Sequence, residues 1–274
     1  MYDIGLVTCA DYAELHPEDA PLQDALARLG YSTVPVLWGS DVKPRLAYLV
    51  RSTWDYHLHP VAFAAWLRSL AASGPVVWNS AELMLWNMHK GYLLDLEARG
   101  VPIVPTTLVR AGEAWPTPAG VVVVKPAVGA GARGARMGPW ESLEAHAREL
   151  LADGDVLVQP CLASAGTYGE RSLMFVDGRF CHAVRRTWAI VEGTGVDAMM
   201  PLVEPSADEL QAAGLALAAL PETPLYARVD LLLDAEGRAC VLELELIEPR
   251  LFLLECPETA VALAQACVRR LAGS

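Results

Sequence analysis

Asp230 lies in the apolar stretch Leu225 to Leu233. Glu243, Glu245 and Glu248 lie in or just past the next one, Ala239 to Leu246. Asp234-Ala235-Glu236-Gly237 between them has the composition of a hairpin turn. Side chains alternate along a strand, so Glu243 and Glu245 share a face. Two carboxylates side by side on an apolar strand repel each other and call for a cation. A hard divalent ion such as Mg²⁺ takes oxygen ligands; an arginine such as Arg228 or Arg250 would neutralise the pair as well, and a solvated acidic edge strand is the plain alternative. Lys125 follows four valines, Val121 to Val124, and precedes Gly129-Ala130-Gly131-Ala132-Arg133-Gly134. A lysine so placed can set its ammonium on a phosphate while loop N–H groups donate to the phosphate oxygens, or it simply leaves the core for solvent. Lys90, expected in the first turn of a helix from Met88 to Arg99, would add its charge to the positive helix end. Arg171, Arg185 and Arg186, with Glu170 before them, suit either an anion clamp or ordinary strand-surface charge. His89 and His182 have no partner at metal-ligand spacing and read as structural, and no Ser-His-Asp or Cys-His signature is visible.

The glycine segment formally matches GxGxxG, the mark of a dinucleotide-binding oxidoreductase. That motif needs its glycines at an immediate strand-to-helix turn. Here Lys125-Pro126 intervenes and Ala135-Arg136-Met137-Gly138-Pro139 follows, so the segment reads instead as a hairpin flap over phosphates.

The elements that must position these groups fall into three blocks. Residues 1–80 alternate strand and helix: Ile4 to Cys9, a helix from Asp19 to Leu29, Tyr31 to Trp38, Leu46 to Val50, a helix from Pro60 burying Phe63, Trp66, Leu67 and Leu70, and Pro75 to Trp78. This order predicts a parallel sheet with helices on both faces. Residues 81–162 hold the Met88–Arg99 helix with Met88, Leu93 and Leu96 inward, the extended run Val101 to Thr106, the valine strand and flap, a helix from Glu141 to Leu151, and a strand from Asp155 to Gln159. Residues 163–274 open on the small-residue linker Ala163 to Gly166. A hairpin turning at Asp177-Gly178, a capping box at Ser206 to Glu209, the carboxylate hairpin and a helix from Thr259 to Leu271 follow.

The 274 residues carry a net charge of −12, with 53% hydrophobic and 20% charged residues. Such a balance argues against nucleic-acid or anionic-membrane partners, which need a basic surface, and against disorder. There is no membrane-length apolar run and no secretory leader, and the six cysteines are scattered, so the expectation is reduced thiols in a cytoplasmic protein.

Together these features resemble the ATP-grasp superfamily, in the branch of glutathione synthetase and the ribosomal-protein glutamate ligase. The resemblance runs from Arg51 to Pro249. It is carried by Asn87-Met88-His89-Lys90 with Gly100 to Thr106, by Val124-Lys125-Pro126 with its glycine loop, by Val158-Gln159-Pro160-Cys161-Leu162, and by Glu170-Arg171 through Asp177-Gly178 to Arg185. Arg228-Val229-Asp230 and Glu243-Leu244-Glu245 complete it. The strings Arg51-Ser52-Thr53-Trp54-Asp55-Tyr56 and Glu243 to Pro249 resemble a smaller subgroup that includes the synthetase cyclising O-ureidoserine to cycloserine.

The resemblance implies an α/β (α+β) ATP-grasp fold: an N-terminal parallel α/β domain, then two α+β subdomains that sandwich ATP. The implied activity is an ATP- and Mg²⁺-dependent carboxylate–amine ligase working through an acylphosphate on an amino-acid-like small molecule, with a homodimer as an available assembly. Lys90, Lys125, Gly129, Gly131, Gly134, Gln159, Pro160, Leu162 and Glu170 would bind the nucleotide, and Asp230, Glu243 and Glu245 the metal. Arg185 and Arg171 would serve the chemistry, and Arg51, Ser52, Trp54, Asp55 and Tyr56 the substrate. The usual asparagine of the family is Glu245 here. A nucleotide-binding regulatory protein without turnover is the alternative from another class.

Overall fold

The strand–helix alternation of the first block builds a parallel layer. In the computed structural model, which describes residues 2–186 and 201–273, β1 (Tyr2–Thr8), β2 (Tyr31–Leu37), β3 (Ala47–Ser52) and β4 (Val76–Trp78) form a parallel sheet in the order β2-β1-β3-β4. Alternation sends Ile4, Leu6 and Leu49 to one face and Val7, Tyr48 and Val50 to the other. Leu22 and Leu26 of α1 (Ala20–Arg28) cover the first face, and Phe63, Trp66, Leu67 and Leu70 of α2 (Pro60–Ala72) cover the second, as their helical spacing requires.

Next come α3 (Ala81–Asn87) and α4 (Tyr92–Ala98). The expected Met88–Arg99 helix therefore starts later, and a separate short helix precedes it, capped by Ser80 Oγ accepting from the Leu83 N–H at 3.1 Å. His89 Nδ1 accepts from the Gly91 N–H at 3.1 Å, a local bond that interrupts the helix. Lys90 thus sits in the turn between two helices, not in a first helical turn, and its N–H donates to the Ala127 carbonyl at 2.7 Å. Met88, Leu93 and Leu96 are buried as expected.

The second sheet is antiparallel, in the order β5-β8-β6-β7, from β5 (Thr107–Val109), β6 (Val121–Pro126), β7 (Arg136–Pro139) and β8 (Val156–Pro160). Trp140, Leu143 and Ala147 of α5 (Trp140–Asp153) pack on Val122, Val124, Val156 and Val158. The glycine segment joins β6 to β7, with Val124 paired to Arg136. A strand, not a helix, follows the third glycine, so no helix N-terminus is offered to a pyrophosphate and the dinucleotide reading fails.

The expected linker at Ala163 to Gly166 is instead a short helix, α6 (Ser164–Thr167), whose Ser164 Oγ donates to the Leu233 carbonyl. The third sheet, order β11-β10-β9-β12-β13, is antiparallel. Its strands are β9 (Glu170–Val176), β10 (Arg179–Arg186), β11 (Leu202–Val203), β12 (Tyr226–Leu233) and β13 (Ala239–Glu245). Asp177 and Gly178 both have positive φ, 53° and 73°, as a tight β9–β10 turn demands. The capping box opens α7 (Ala207–Ala218), and α8 (Pro257–Ala272) lays Leu263 and Ala264 on the first face of the parallel layer. Among the described residues, no helix is long and apolar enough to cross a membrane.

His182 is buried in the β10–α8 contact, its Nδ1 2.7 Å from Thr259 Oγ1, and burial pushes its pKa from 6.5 down to about 4. The unfolded chain therefore takes up this proton first as pH falls. The His182 contribution to stability is complete above pH 6.5 and is lost towards pH 4, at up to about 1.4 kcal/mol per pH unit. Urea denaturation across that window should show a steeper acid loss in the natural chain than in His182→Gln; identical slopes would rule out this histidine as the cause.

Candidate active site

Register alone gathers the charged groups on one face of the third sheet. Asp230 pairs with Glu243, Arg228 with Glu245, Ser172 with Asp230 and Arg186 with Glu170. Directly opposed residues share a face, so all seven side chains line it. Two buried side chains fix the end of β13. Asn87 donates to the Leu244 carbonyl at 2.8 Å and accepts from the Leu246 N–H at 2.9 Å, bracketing Glu245, and Tyr92 Oη accepts from the Leu244 N–H at 2.9 Å.

The charges are closely matched. Arg228 donates to both oxygens of Asp230, with Nη2 at 2.8 Å, and also to Glu245 Oε1. Arg186 Nη1 lies 2.7 Å from Glu170 Oε1 and 3.5 Å from Asp230 Oδ2. Lys90 Nζ donates to Glu243 Oε1 at 2.8 Å and to the Gly129 carbonyl of the flap at 2.7 Å. Burial opposes the charge of Asp230, yet Arg228 and Arg186 hold its pKa below the usual value; Lys90 and Lys125 do the same for Glu243. Burial, followed for each by neighbouring carboxylates, pushes Glu245 up to about 7 and Glu248 up to about 8. Burial likewise raises Glu170 to about 7 against the pull of Arg186, and lowers the ammonium pKa of Lys125.

Five carboxylates (Glu170, Asp230, Glu243, Glu245, Glu248) thus face four cations (Lys90, Lys125, Arg186, Arg228), and the raised glutamates mark the shortfall of positive charge. The donor set is all oxygen and anionic, which fits a hard divalent ion. Among the described residues no three His, Cys, Asp or Glu side chains already form a ligating group. Asp230 and Glu245 are turned to Arg228, and Glu243 to Lys90.

The two arginines expected to act in the chemistry lie elsewhere. Arg171 and Arg185 pair across β9 and β10 one residue out of phase with Glu170 and Arg186, so they occupy the opposite face. Arg185 donates to the Tyr168 and Thr167 carbonyls at 2.8 and 2.9 Å. Arg171 stacks over the Tyr168 ring, 4.1 Å from its centroid, with Glu209 3.7 Å away. Arg186 is the arginine on the carboxylate face; counting alternate residues from Glu170 through the two-residue turn would have found it. Gly169 lets this arrangement close, since a Cβ there would stand 2.8 Å from the Arg186 carbonyl oxygen.

Comparison with known proteins points the same way. Residues 4–79 match the family model described as D-cycloserine synthetase DcsG, N-terminal domain. The chain is 31% identical to the cycloserine biosynthesis protein DcsG of Streptomyces lavendulae over 98% of both chains. It belongs to the DcsG family of ATP-grasp ligases. The crystal structure of D-cycloserine synthetase DcsG superposes with a TM-score of 0.90 at 29% identity, covering 98% of this chain and 99% of that one. The D-alanine–D-alanine ligase from Bacillus anthracis, complexed with ATP, shares the fold at a TM-score of 0.72 and 14% identity, over 99% and 98% of the two chains. The chain is therefore an ATP-binding carboxylate–amine ligase, and neither the regulatory nor the oxidoreductase alternative is retained.

In this DcsG-family ligase the Arg51–Tyr56 loop is packed inward. Arg51 is 2% exposed: Nε lies 2.8 Å from Asp19 Oδ1, Nη2 3.9 Å from Glu18 Oε1, and Nη1 3.4 Å from the Pro249 carbonyl. Ser52 bonds Thr8, and Tyr56 is buried against Phe63. Arg51 and Ser52 therefore brace the loop and present no free polar group to a substrate, contrary to expectation. Asp55 accepts from Trp38 Nε1 at 2.6 Å, while Trp54 donates to the Glu248 carbonyl at 2.9 Å and ties the loop to the carboxylate face. Arg51→Met should unfold more easily by about 3–5 kcal/mol, the cost of stripping one partner from a buried ion pair. Thermal denaturation tests this, and an unchanged midpoint with a raised KM for the amino acid would return Arg51 to the substrate. At the other end, Gln159 is buried with Nε2 2.8 Å from Thr106 Oγ1, and Leu162 packs on Val104, Leu232 and Leu242.

Proposed function

We propose that the chain activates the carboxylate of a small amino acid with Mg-ATP and closes the acylphosphate on a nitrogen of the same molecule, as in the conversion of O-ureidoserine to cycloserine. The observation that carries this reading is the match of residues 4–79 to the N-terminal domain of a D-cycloserine synthetase. That domain carries the loop that Trp54 ties to Glu248 beside the charged face.

Lys125, Lys90 and the loop of Gly129, Gly131 and Gly134 would hold the phosphates, and the strand Gln159-Pro160-Cys161-Leu162, beside the apolar group of Val104, Leu232 and Leu242, the adenine. Asp230, Glu243 and Glu245 would hold Mg²⁺, whose part is to neutralise phosphate charge. Phosphate would draw Lys90 from Glu243 and free that carboxylate. A substrate carboxylate oxygen then attacks the γ-phosphorus and ADP leaves. Arg186, steered by Glu170, meets the charge that develops on the transferring group. Glu170 is too deep among the arginines to serve as a direct nucleotide contact, so its part is to aim Arg186.

The test is incubation with Mg-ATP and a panel of amino acids including O-ureidoserine, reading ADP by chromatography and the ring by mass. ADP formed in step with cycloserine supports the proposal. ADP formed only when a second amine is added would make the ligation intermolecular.

A further inference from the structure

His57 follows the substrate loop directly and belongs to none of the motifs above. Its Nδ1 lies 2.9 Å from the Trp54 carbonyl oxygen. A carbonyl only accepts, so Nδ1 carries the hydrogen and Nε2 the lone pair. Nε2 is closed off from solvent and meets no hydrogen-bond partner among the described residues. The surrounding charges locate the ring. Arg133 comes from the flap, Lys90 from the turn between α3 and α4, and Asp55 from the loop itself. Tyr56 stands edge-on to the ring at 6.3 Å, and Val128 at the flap's root packs in the same cluster as Tyr56. His57 therefore sits where loop, flap and phosphate-side lysine converge, with an unused base. Burial first, then Arg133 and Lys90, keep the imidazole neutral against the pull of Trp54 and Asp55.

The other described histidines offer no such group. His89 Nε2 faces Asp155 at 3.2 Å, His146 Nε2 is 2.8 Å from the Gly134 carbonyl oxygen, His182 is spent on Thr259, and His16 Nδ1 accepts from the Glu18 N–H.

We propose that His57 Nε2 takes the proton from the nitrogen that attacks the acylphosphate. The nitrogen lone pair forms the C–N bond, the C–O bond to phosphate breaks with its electrons leaving on phosphate, and the N–H proton passes to Nε2. Without that transfer the adduct stays cationic at nitrogen and reverts. The role rests on the ligase reading above and concerns only its second half.

The two halves separate with hydroxylamine, which attacks acylphosphates as a free base and needs no help in losing its proton. His57→Asn keeps a side-chain N–H for the Trp54 carbonyl but has no basic lone pair; His57→Gln is carried alongside in case the first variant melts early. Hydroxamate and ADP formation should stay within about twofold of the natural chain, while product formation without the trap falls about 100-fold, the usual scale of a lost general base. His57→Ala should regain product on adding imidazole. Hydroxamate falling together with product, or product unchanged, would overturn the assignment. The ratio is read with whichever amino acid drives ADP formation. A wrong substrate thus appears in the natural chain as absence of ring from O-ureidoserine, while His57 is judged on the ratio alone.

Discussion

Arg186→Ala is expected to lower ADP formation by about 10²–10³-fold, the cost of removing one preorganised donor from a developing charge. Arg185→Ala, one residue away, should leave turnover within about fivefold, a loss set by looser positioning rather than by missing charge. The difference follows from strand parity. Arg186 shares its face with Glu170 and Asp230, at 2.7 and 3.5 Å, whereas Arg185 spends its guanidinium on the carbonyls of Tyr168 and Thr167. Glu170 raises the Arg186 pKa against burial, so the guanidinium stays charged and fixed in direction. Steady-state ADP release with saturating ATP and amino acid, measured for both variants, decides between them. A larger loss in Arg185→Ala would mean that the face opposite the carboxylates carries the reaction.

Long-period patterns were the legible part of this chain. The parallel layer follows from strands whose alternate residues are apolar and from α2, whose Phe63, Trp66, Leu67 and Leu70 fall on one stripe. The two hairpins of the third sheet follow from turn chemistry, since Asp177-Gly178 and the Asp234 to Gly237 loop leave the flanking strands no other course. Elements of two turns or three residues escape such reading. Ala81–Asn87 is too short to display a period, and Thr107–Val109 and Leu202–Val203 are strands only because β8 and β10 lie beside them. The carboxylate face was half legible. Period two places Glu243 beside Glu245, but it does not say that Arg228, two residues before Asp230, answers both Asp230 and Glu245. Arg51 shows the limit most plainly. A polar residue ending a strand suits a substrate contact, and only the folded chain brings Asp19, Glu18 and Pro249 to it from both ends of the sequence.

Glu243→Gln and Glu245→Asn should part company although the two glutamates are neighbours on one strand. Glu243 is the carboxylate that Lys90 grips at 2.8 Å and that Lys125 also stabilises, so it stands on the phosphate side of the cluster. Removing its charge leaves two lysines without their shared counterion and deprives a divalent ion of an anionic oxygen. Turnover should drop by at least about 100-fold, consistent with the several kcal/mol that a well-placed ion contributes to phosphoryl transfer. Glu245 answers Arg228, which keeps Asp230 as a partner when Glu245 is changed. Asparagine retains a carbonyl oxygen for the ion and adds no unpaired charge, so Glu245→Asn should stay within about tenfold of natural turnover and need several-fold more Mg²⁺, as fewer anionic ligands weaken a similar site. A Mg²⁺ titration of ATP-dependent phosphate release reads both effects. Full turnover of Glu243→Gln at ordinary Mg²⁺ would reduce this face to an ion-pair lattice that holds β12 to β13, and the metal would have to be sought elsewhere.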